Sequence, residues 1–296
     1  MKLAELIGRA TRPFYSLEFF PPKDSAQIPG FLETAARLKK INPLFASVTY
    51  GAGGGSQDNT LGITRQLSEE CSYLVMPHLT CVGASRERIS AYLAQLRNIG
   101  IDNILALRGD PPQTAASGAI PFSWSSGEFQ HASELVEYVS AGFPDFGIAV
   151  AGYPAPHPES PSIEQDRVHT GRKLMAGADM LITQMFFDVR EYVDLVSRLR
   201  SMGMDKPVIP GVMPIRSFES LRHVLGLCGA NIPARLYIAL EEADRKGGEE
   251  AVREAGLIFA ADQIRRLLAA GAPGIHLYTL NKAETCLRLV EAVGGI

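Results

Sequence analysis

The stretch YSLEFFPPKDSAQIPGFLETAARLKKINPLFASVTY (residues 15–50) contains two short apolar runs separated by a longer amphipathic one. The short runs, 15–20 and 44–50, predict β-strands, because each is brief, rich in aromatic or branched side chains, and bounded by proline or glycine. The segment 28–41 between them has the spacing of apolar residues that is typical of a helix. The stretch therefore predicts a β-α-β unit with parallel strands.

The same unit recurs along the chain. Eight apolar runs have strand character and lie at 15–20, 44–50, 73–81, 103–110, 146–154, 180–188, 207–214 and 274–281. Helical patterns lie between them, and several end at a glycine, as helices commonly do. Strands that are apolar on both faces favour a parallel sheet covered by helices. Eight such units at this length predict an α/β fold, the (β/α)8 TIM barrel, rather than an open doubly wound sheet.

Two further helical patterns, 217–229 and 232–271, lie between the seventh and eighth strands. The second is interrupted near Lys246, Gly247 and Gly248, so the sequence predicts an extra helical insertion at this point of the barrel. No low-complexity linker divides the chain. Residues 1–296 are therefore expected to form a single barrel domain.

Composition disfavours several classes of protein. With 296 residues, of which 46% are hydrophobic and 21% charged, the chain is typical of a globular protein. The net charge of −3 comes from interspersed signs, which disfavours binding to nucleic acid. There is no run of about 18 apolar residues and no secretory leader, so we expect a cytoplasmic protein without membrane contact. Neither a metal site nor a disulfide framework is expected from four widely spaced cysteines, Cys71, Cys81, Cys228 and Cys286.

Polar side chains stand at or just after the ends of the predicted strands. They are Glu18, Thr49, His78, Asp110, Tyr153, His157, Gln184 and Asn281. In a barrel of parallel strands the carboxyl ends share one face, and that face carries the active site in characterised enzymes of the fold. The sequence therefore predicts that these residues meet in one pocket.

Each of these residues also has a structural explanation. Glu18 can be a carboxylate that is paired with a cation inside the barrel. For this residue a structural role and a functional role are about equally supported by the sequence. Asp110 precedes two prolines and can simply begin a turn. A lone histidine in an apolar run, such as His78, is more often a hydrogen-bonded core residue than a base. Gln184 suits a flat heterocycle with alternating donors and acceptors, or it can be a satisfied core amide.

Two other features have ordinary explanations when they are taken alone. The glycine-rich segment 51–56 fits neither the dinucleotide-binding nor the phosphate-binding glycine motif, although it would let a ligand approach the backbone closely. The histidines on helices or at strand starts are assigned surface or packing roles; they are His131, His169, His223 and His276.

The motifs taken together resemble one family. In order along nearly the whole chain they are SLEFFPP, SVTYGAGG, PHLT, LRGDPP, a Tyr-Pro…His-Pro-Glu segment, GRKLMAGADMLITQMFFD, IPGVMPI and HLYTLN. This series resembles the flavin-dependent methylenetetrahydrofolate reductases of bacteria. The resemblance implies a (β/α)8 barrel that holds FAD non-covalently, takes electrons from NADH or NADPH, and reduces the one-carbon bridge of a folate substrate.

The resemblance also implies catalytic roles. Glu18 matches the family's general acid, which delivers a proton at N10 as the one-carbon bridge opens. Burial among Phe19, Phe20 and the prolines is expected to raise the pKa of Glu18 towards neutrality. Asp110 matches an aspartate between flavin and pterin, whose charge stabilises the iminium cation of the substrate and biases the flavin potential. Gln184 matches an amide that contacts the pterin.

The same likeness implies a set of residues that contact FAD. They are Thr49, Tyr50, Ala52, His78, Arg108, Gly109, Asp110, Ala132, Tyr153, His157, Asp166, His169, Arg172 and Lys173. Arg172 and Lys173 are adjacent in a predicted helix and would neutralise the pyrophosphate. Without the likeness, a solvated basic pair is the favoured explanation for these two residues.

The chain departs from the family pattern at several positions. Residues 56–60 replace a segment that is rich in arginine in many members, which leaves the choice between NADH and NADPH open. Lys282 stands where relatives carry a substrate-binding arginine, and it can pair with a carboxylate but not in a bidentate manner. Ser220 replaces a substrate-binding glutamine, His131 replaces a tyrosine, and Val224 replaces a phenylalanine that stacks on the nicotinamide or folate ring.

Two other functions stay open at this point. One is a flavin-free, pterin-binding barrel that takes part in methyl transfer, and the other is a non-catalytic barrel subunit of a redox complex. Helix faces rich in leucine and alanine can form subunit contacts or pack on the barrel, and a homo-oligomer is expected. The direction of the reaction in the cell does not follow from the sequence, since one hydride path serves both reduction and oxidation.

Overall fold

Every strand runs parallel to its neighbours in the sheet. The structure, a computed structural model, describes residues 1–50, 57–110 and 127–296. The strands within these residues are β1 (Phe14–Phe19), β2 (Phe45–Val48), β3 (Val75–Thr80), β4 (Asn103–Leu107), β5 (Gly147–Gly152), β6 (Met180–Thr183), β7 (Val208–Ile209), β8 (Gly211–Val212) and β9 (Gly274–Tyr278). The helices are α1 (Leu3–Arg9), α2 (Ile28–Leu38), α3 (Gln57–Glu69), α4 (Arg86–Asn98), α5 (Ala132–Gly142), α6 (Ile163–Met175), α7 (Val189–Ser201), α8 (Phe218–Cys228), α9 (Ala234–Ala269) and α10 (Ala283–Val293).

The strands follow the order β7-β6-β5-β4-β3-β2-β1-β9-β8 around the sheet. β7 pairs with β6, β8 pairs with β9, and only Pro210 separates β7 from β8. Pro210 has no N–H to donate, although its carbonyl oxygen accepts a hydrogen bond from His276 N at 2.9 Å. β7 and β8 are therefore two halves of the predicted seventh strand, and the predicted (β/α)8 barrel is confirmed.

Side chains alternate between two surfaces along each strand, as the pleat requires. Outward residues such as Leu17, Phe19 and Val48 join the large apolar cluster that also contains residues of the surrounding helices. A separate apolar cluster holds interior residues at the amino-terminal end of the strands, among them Phe14, Phe45, Met76, Leu105, Met180 and Ile209.

Helix α1 covers the amino-terminal end of the barrel. Its Leu3 and Ile7 belong to the interior apolar cluster. Asn103 Oδ1 accepts a hydrogen bond from Leu3 N at 2.8 Å, which ties the helix to the start of β4. The sequence does not predict α1, because its 7 residues are too few to show a clear helical period. The polar residues predicted for the site lie at the other end, the carboxyl-terminal end of the barrel.

The predicted insertion between the last two strand positions is present. It consists of α8 and the first part of α9, and α9 is kinked where Gly247 and Gly248 leave the helical conformation. Gly248, with φ 60°, lies in the left-handed region that favours glycine. Side chains of α8 and α9 form their own apolar cluster with Tyr278 at the carboxyl-terminal end of the barrel. Among the described residues, no helix combines the length and apolar character needed to cross a bilayer.

Candidate active site

Glu18 is the fifth residue of β1 and points into the barrel. It is buried, with 6% of the residue exposed. The strand register places it beside Ser47 on β2 and Tyr278 on β9. Because successive side chains alternate, Ser16 and Glu18 share the interior face. A charged residue can therefore occupy a strand whose other face packs against apolar helices.

Two histidines contact the Glu18 carboxylate. His78 Nε2 lies 3.4 Å and His276 Nε2 lies 3.7 Å from Glu18 Oε2. His276 is held by Ser16, whose Oγ lies 2.8 Å from Nδ1, and by Ser47, whose Oγ lies 3.3 Å from Nε2. His78 Nε2 makes no well-aligned hydrogen bond to any described residue. The carboxylate is thus paired loosely, and such contacts often tighten when substrate fills a site.

The upward pKa shift expected for Glu18 is wrong. Burial does raise the pKa of Glu18, but hydrogen bonding and positive charge from His276 and His78 outweigh burial and lower the pKa to about 2. Glu18 is therefore ionised at neutral pH. The expectation failed because a strand pattern indicates that Glu18 is buried. The same pattern does not indicate that two histidines from distant parts of the chain lie beside it.

His276 lies in the site, although the sequence pattern indicated packing. It is fully buried and pairs with Ser16 in the register between β1 and β9. The sequence did contain one indication of this position. His276 and Tyr278 are two residues apart and therefore share one face of β9, as Ser16 and Glu18 share one face of β1. The missing information was that the first and last strands of the barrel are neighbours.

A second polar group lies where β4, β5 and β6 end. Tyr153 follows β5, Gln184 follows β6, and the Gln184 amide is within hydrogen-bonding reach of the Tyr153 hydroxyl. Burial raises the pKa of Tyr153 to about 12, Gln184 opposes this shift, and the negative charge of Asp110 adds to it. Asp110 follows β4 and is exposed. Gln184 Oε1 also accepts a hydrogen bond from Met185 N at 2.9 Å.

Tyr278 connects the two polar groups. Burial raises the pKa of Tyr278 well above the usual value, and the negative charge of Glu18 adds to the effect, as would a charge on Tyr153. Tyr278 is therefore within electrostatic range of both residues. Glu18 and Asp110, predicted to share one pocket, stand at the carboxyl ends of β1 and β4 on the same end of the barrel.

A buried charge network holds the segment that follows β5. Its centre is Arg167 on α6, which is 2% exposed. The guanidinium contacts Tyr153 O at 2.6 Å, Pro154 O at 2.7 Å, Asp166 Oδ2 at 3.2 Å and Asp194 Oδ2 at 3.4 Å. Asp166 Oδ1 also accepts a hydrogen bond from His157 N at 3.4 Å. Tyr153 and His157, whose ring centroids are 4.7 Å apart, are thereby fixed relative to α6.

Lys173 places a partly buried cation near the end of β5. It lies in the last turn of α6, and its Nζ donates to Ala151 O at 2.5 Å. Burial lowers the pKa of Lys173 to about 8, and the charge of Asp166 opposes this shift. No carboxylate among the described residues forms an ion pair with this ammonium. A desolvated ammonium in this situation fits an anionic group such as a pyrophosphate, whereas Arg172 is exposed.

Arg108 and Gly109 follow β4. Arg108 Nη2 lies 2.7 Å from Glu159 Oε2, which links this segment to the one after β5. Gly109 has φ +88°, and a Cβ on it would lie 2.7 Å from Val82 Cγ1. Only glycine fits there without strain, and it lets the backbone before Asp110 lie close to the segment after β3.

Most of the other predicted site residues border the same end of the barrel. Thr49 and Tyr50 directly follow β2, Ala132 begins α5, and Lys282 immediately precedes α10. His169 lies on α6 and is exposed.

Ser220 has a local role that competes with its predicted contact to substrate. Its hydroxyl donates to Ser217 O at 2.8 Å and accepts from Ser217 N at 3.0 Å, which caps α8.

Ala52, the glycine-rich segment 51–56 and the side chain of Val224 lie outside the described residues. Within the described part of the chain, no group of three or more His, Cys, Asp or Glu side chains is arranged to hold a metal ion.

The sequence is similar to known proteins over its length. It matches a family model described as methylenetetrahydrofolate reductase over residues 2–294. It is 36% identical over 309 residues to methylenetetrahydrofolate reductase (NADH) 1 of Arabidopsis thaliana, covering 100% of this chain and 51% of that protein. It is 34% and 33% identical to the 5,10-methylenetetrahydrofolate reductases of Pectobacterium carotovorum and Escherichia coli, covering 99% of this chain and 93% of each relative. The chain thus spans about half the length of the plant protein.

Solved structures share the fold at much lower identity. One is described as an uncharacterized protein from Clostridium thermocellum that binds two copies of 5-methyl-5,6,7,8-tetrahydrofolic acid. Its TM-score is 0.64 at 14% identity, and the match covers 98% of this chain and 97% of that one. A dihydropteroate synthase from Coxiella burnetii in complex with pteroic acid has a TM-score of 0.51 at 12% identity, with 96% and 91% covered. These likenesses support the barrel alone. With the family model matched from residue 2 to residue 294, the chain belongs to the methylenetetrahydrofolate reductase family.

Proposed function

We propose that the protein uses NADH or NADPH and bound FAD to reduce 5,10-methylenetetrahydrofolate to 5-methyltetrahydrofolate, and that the reverse oxidation uses the same path. The observation that carries the proposal is the buried Glu18 carboxylate in contact with His78 and His276 at the carboxyl-terminal end of the barrel. Family membership and the names of the bacterial relatives support the reaction. The Clostridium thermocellum protein, which has the same fold and is described as binding 5-methyl-5,6,7,8-tetrahydrofolic acid, supports a folate ligand.

The residues present fit FAD. When bound, the flavin would take a hydride from the nicotinamide and pass it to the one-carbon bridge of the folate. The Lys173 ammonium, partly buried and without a paired carboxylate among the described residues, would hold the pyrophosphate. The backbone at Gly109 and the fixed rings of Tyr153 and His157 would form part of the surface against which the cofactor lies.

Glu18 transfers the proton in this proposal. Opening of the one-carbon bridge needs a proton at N10 of the folate. The lowered pKa leaves Glu18 ionised at neutral pH, so the carboxylate would first take up a proton beside His78 and His276 and then pass it to the substrate. Burial of the group excludes bulk water from this path.

Asp110 and Gln184 would act on the substrate rather than on the proton. The Asp110 carboxylate would stabilise the cationic form of the opened bridge by its charge. The Gln184 amide, which lies beside Tyr153, would bind the pterin ring through its donor and acceptor groups. Lys282, just after the turn that follows β9, would pair with the glutamate carboxylate of the folate.

We also propose a domain organisation and an oligomeric state for the protein. Residues 1–296 would act as one catalytic domain, in the cytoplasm and as a homo-oligomer, with small-molecule substrates and without nucleic acid or membrane as a partner. Gel filtration with light scattering measures the oligomeric state directly.

Anaerobic stopped-flow spectroscopy tests the reaction. The purified protein should show the absorption of oxidised flavin, lose it on mixing with NADH or NADPH, and regain it on mixing with 5,10-methylenetetrahydrofolate. A colourless protein that binds folate would indicate a flavin-free pterin-binding barrel instead. Flavin that neither nicotinamide reduces would indicate a non-catalytic subunit of a redox complex, and either result would overturn the proposal.

A further inference from the structure

Side chains continue the ladder between β1 and β9 beyond its last backbone pair. Backbone pairing ends where Glu18 faces Tyr278. Thr279 Oγ1 then donates to Glu18 O at 2.5 Å. Asn281 Nδ2 donates to Phe20 O at 2.7 Å, and Asn281 Oδ1 accepts from Phe20 N at 3.1 Å. The Asn281 amide therefore takes the place of a paired peptide group beside Phe20.

The segment 18–20 is held from both sides. On the edge that faces β2, Thr49 N donates to Phe19 O at 3.0 Å. The carbonyl oxygens of three consecutive residues, starting at Glu18, therefore each accept a hydrogen bond. A displacement of Glu18 along or across the barrel would break at least one of these bonds.

The turn that carries Asn281 has an uncommon backbone conformation. Leu280 and Asn281 have φ of 47° and 55°, in the left-handed region. Asparagine tolerates this region better than most residues, and leucine adopts it rarely. Asn281 N is bonded to Thr279 Oγ1 at 3.1 Å, which helps to hold the turn. Two successive left-handed residues persist only where their surroundings stabilise them, and here they turn the amide back towards β1.

We propose that Asn281 is a positioning residue for proton transfer by Glu18. The inference rests on the proposed function, in which Glu18 passes a proton to the folate. Glu18 Oε2 lies 3.4 Å from His78 Nε2 and 3.7 Å from His276 Nε2, so shifts smaller than an ångström decide whether a proton can pass. The Asn281 amide fixes the backbone just beyond Glu18, and with it these distances.

Asn281→Gly tests the inference, because glycine accepts the left-handed backbone and only the amide is lost. Asn103→Ala is the matched control. Asn103 Oδ1 accepts from Leu3 N at 2.8 Å and Asn103 Nδ2 donates to Met1 O at 3.1 Å, at the opposite end of the barrel. Both variants lose an amide that bonds two backbone groups, so a purely structural role predicts similar effects of both.

Hydrogen exchange of the protein as purified provides a readout that does not depend on activity. In Asn281→Gly we expect the Phe20 amide to lose protection while Leu3 keeps it, and in Asn103→Ala we expect the reverse. Retained protection of Phe20 in Asn281→Gly would overturn the inference.

The two half-reactions at saturating substrate provide the functional readout. We expect Asn281→Gly to slow folate-dependent reoxidation of the flavin by about 10- to 100-fold, the usual cost of a small misplacement, with flavin reduction nearly unchanged. Asn103→Ala should slow neither step. Equal slowing of both steps in Asn281→Gly, or no slowing of reoxidation, would contradict the positioning role.

Thr279→Val is the second variant for this test if Asn281→Gly does not fold. It removes the hydroxyl that bonds Glu18 O and should slow the same half-reaction selectively. Failure of the proposed function would look different, since the wild-type protein itself would then not reduce flavin or folate. A competent wild-type protein with normal reoxidation in Thr279→Val and Asn281→Gly would overturn the positioning role alone.

Discussion

At Glu18, two neighbouring imidazoles reverse the effect of burial on a carboxyl group. Burial alone would raise the pKa of Glu18, and the contacts with His276 and His78 lower it instead. An ionised carboxylate that contacts two imidazoles can take up a proton and pass it on. The proposed role of Glu18 therefore depends on both histidines as much as on its own carboxyl group.

Replacing Glu18 with glutamine keeps the size of the side chain and removes the oxygen that would carry the proton. We expect flavin reduction by NAD(P)H to be nearly unchanged and folate-dependent reoxidation to fall by about 10²- to 10⁴-fold, the usual contribution of general acid catalysis. Stopped-flow absorbance in each half-reaction checks this. Glu250→Gln, at an exposed position of α9, is the control and should change neither rate. Equal losses in both half-reactions would refute the role.

The lowered pKa of Glu18 also predicts how stability depends on pH. Its folded-state pKa of about 2 lies below the ordinary value of 4.5, so the ionised group stabilises the folded state above pH 4.5 and this contribution is lost as the pH falls towards 2. We expect the difference in free energy of unfolding between wild type and Glu18→Gln to shrink over this window by on the order of 3 kcal/mol. Urea denaturation at stepped pH measures it; a constant difference would contradict the lowered pKa.

Among the elements, α6 carries a partly buried ammonium, that of Lys173, whose pKa is lowered towards neutral pH. Partial burial lowers the pKa of Lys173 to about 8, so below that pH the folded chain holds a partly desolvated charge that a bound anion would stabilise. An anionic pyrophosphate would raise this pKa, and by linkage the affinity for flavin should fall as the pH rises through and above the pKa.

Fluorescence titration of the flavin below and above this pH measures the change in affinity. Lys173→Met should weaken binding at the lower pH and remove most of the pH dependence. Lys246→Met, at an exposed position of α9, should behave as the wild type. If the wild-type protein binds flavin equally well at both pH values, Lys173 does not contact the anionic part of the cofactor.

Arg167 joins α6 to α7 and to the segment after β5. Its replacement by methionine would leave Asp166 without its ion pair and the carbonyl oxygens of Tyr153 and Pro154 without a donor. Removing one partner of a buried ion pair typically costs about 3–5 kcal/mol. We expect Arg167→Met to lower the free energy of unfolding by that amount and to weaken flavin retention, because Tyr153 loses its support.

Arg198→Met is the matched control for Arg167→Met. Arg198 is the other partner of Asp194, at 2.8 Å, but its side chain is 41% exposed. An exposed pair contributes at most about 1 kcal/mol, so this variant should be close to wild type. Urea denaturation and flavin fluorescence after dilution measure both effects. Similar results for the two variants would mean that Arg167 does not support the site through the segment after β5.

For the whole molecule, closure of the barrel depends on a close backbone contact at β8. Gly211 N donates to Thr183 Oγ1 at 2.9 Å, and the Tyr278 hydroxyl donates to Thr183 O at 2.7 Å. A Cβ on residue 211 would lie 2.5 Å from Thr183 O and 2.6 Å from Cε2 of Tyr278. We expect Gly211→Ala to lower the free energy of unfolding by about 1–3 kcal/mol, since a strand backbone and a buried ring would both have to move.

Gly62→Ala is the control for this prediction. Gly62 lies on α3 with no atom within 4 Å of an added Cβ, and alanine in a helix is more stable than glycine by about 0.5–1 kcal/mol. Urea denaturation should therefore shift in opposite directions for the two variants. If Gly211→Ala is as stable as the wild type, this contact does not limit closure of the barrel.

The repeating strand and helix pattern was sufficient to predict the barrel, because the periods of strands and helices are local properties of a chain. It also placed the break in α9 at Gly247 and Gly248 and set Glu18, Tyr153 and Gln184 at strand ends. Helix α1 was too short to show a period. The Ser220 hydroxyl caps α8, which the sequence did not predict, and its contact with substrate stays a prediction.

The sequence by itself determined that parallel strands alternate with helices and that polar residues gather where the strands end. Only the tertiary structure decided which of these residues touch. The closing of the ring brings His276 on the last strand beside Ser16 and Glu18 on the first, and this contact lowers the pKa of Glu18 where burial alone would raise it. Electrostatic and hydrogen-bonding energies depend on distances through space, and those distances are set only when distant parts of the chain pack together.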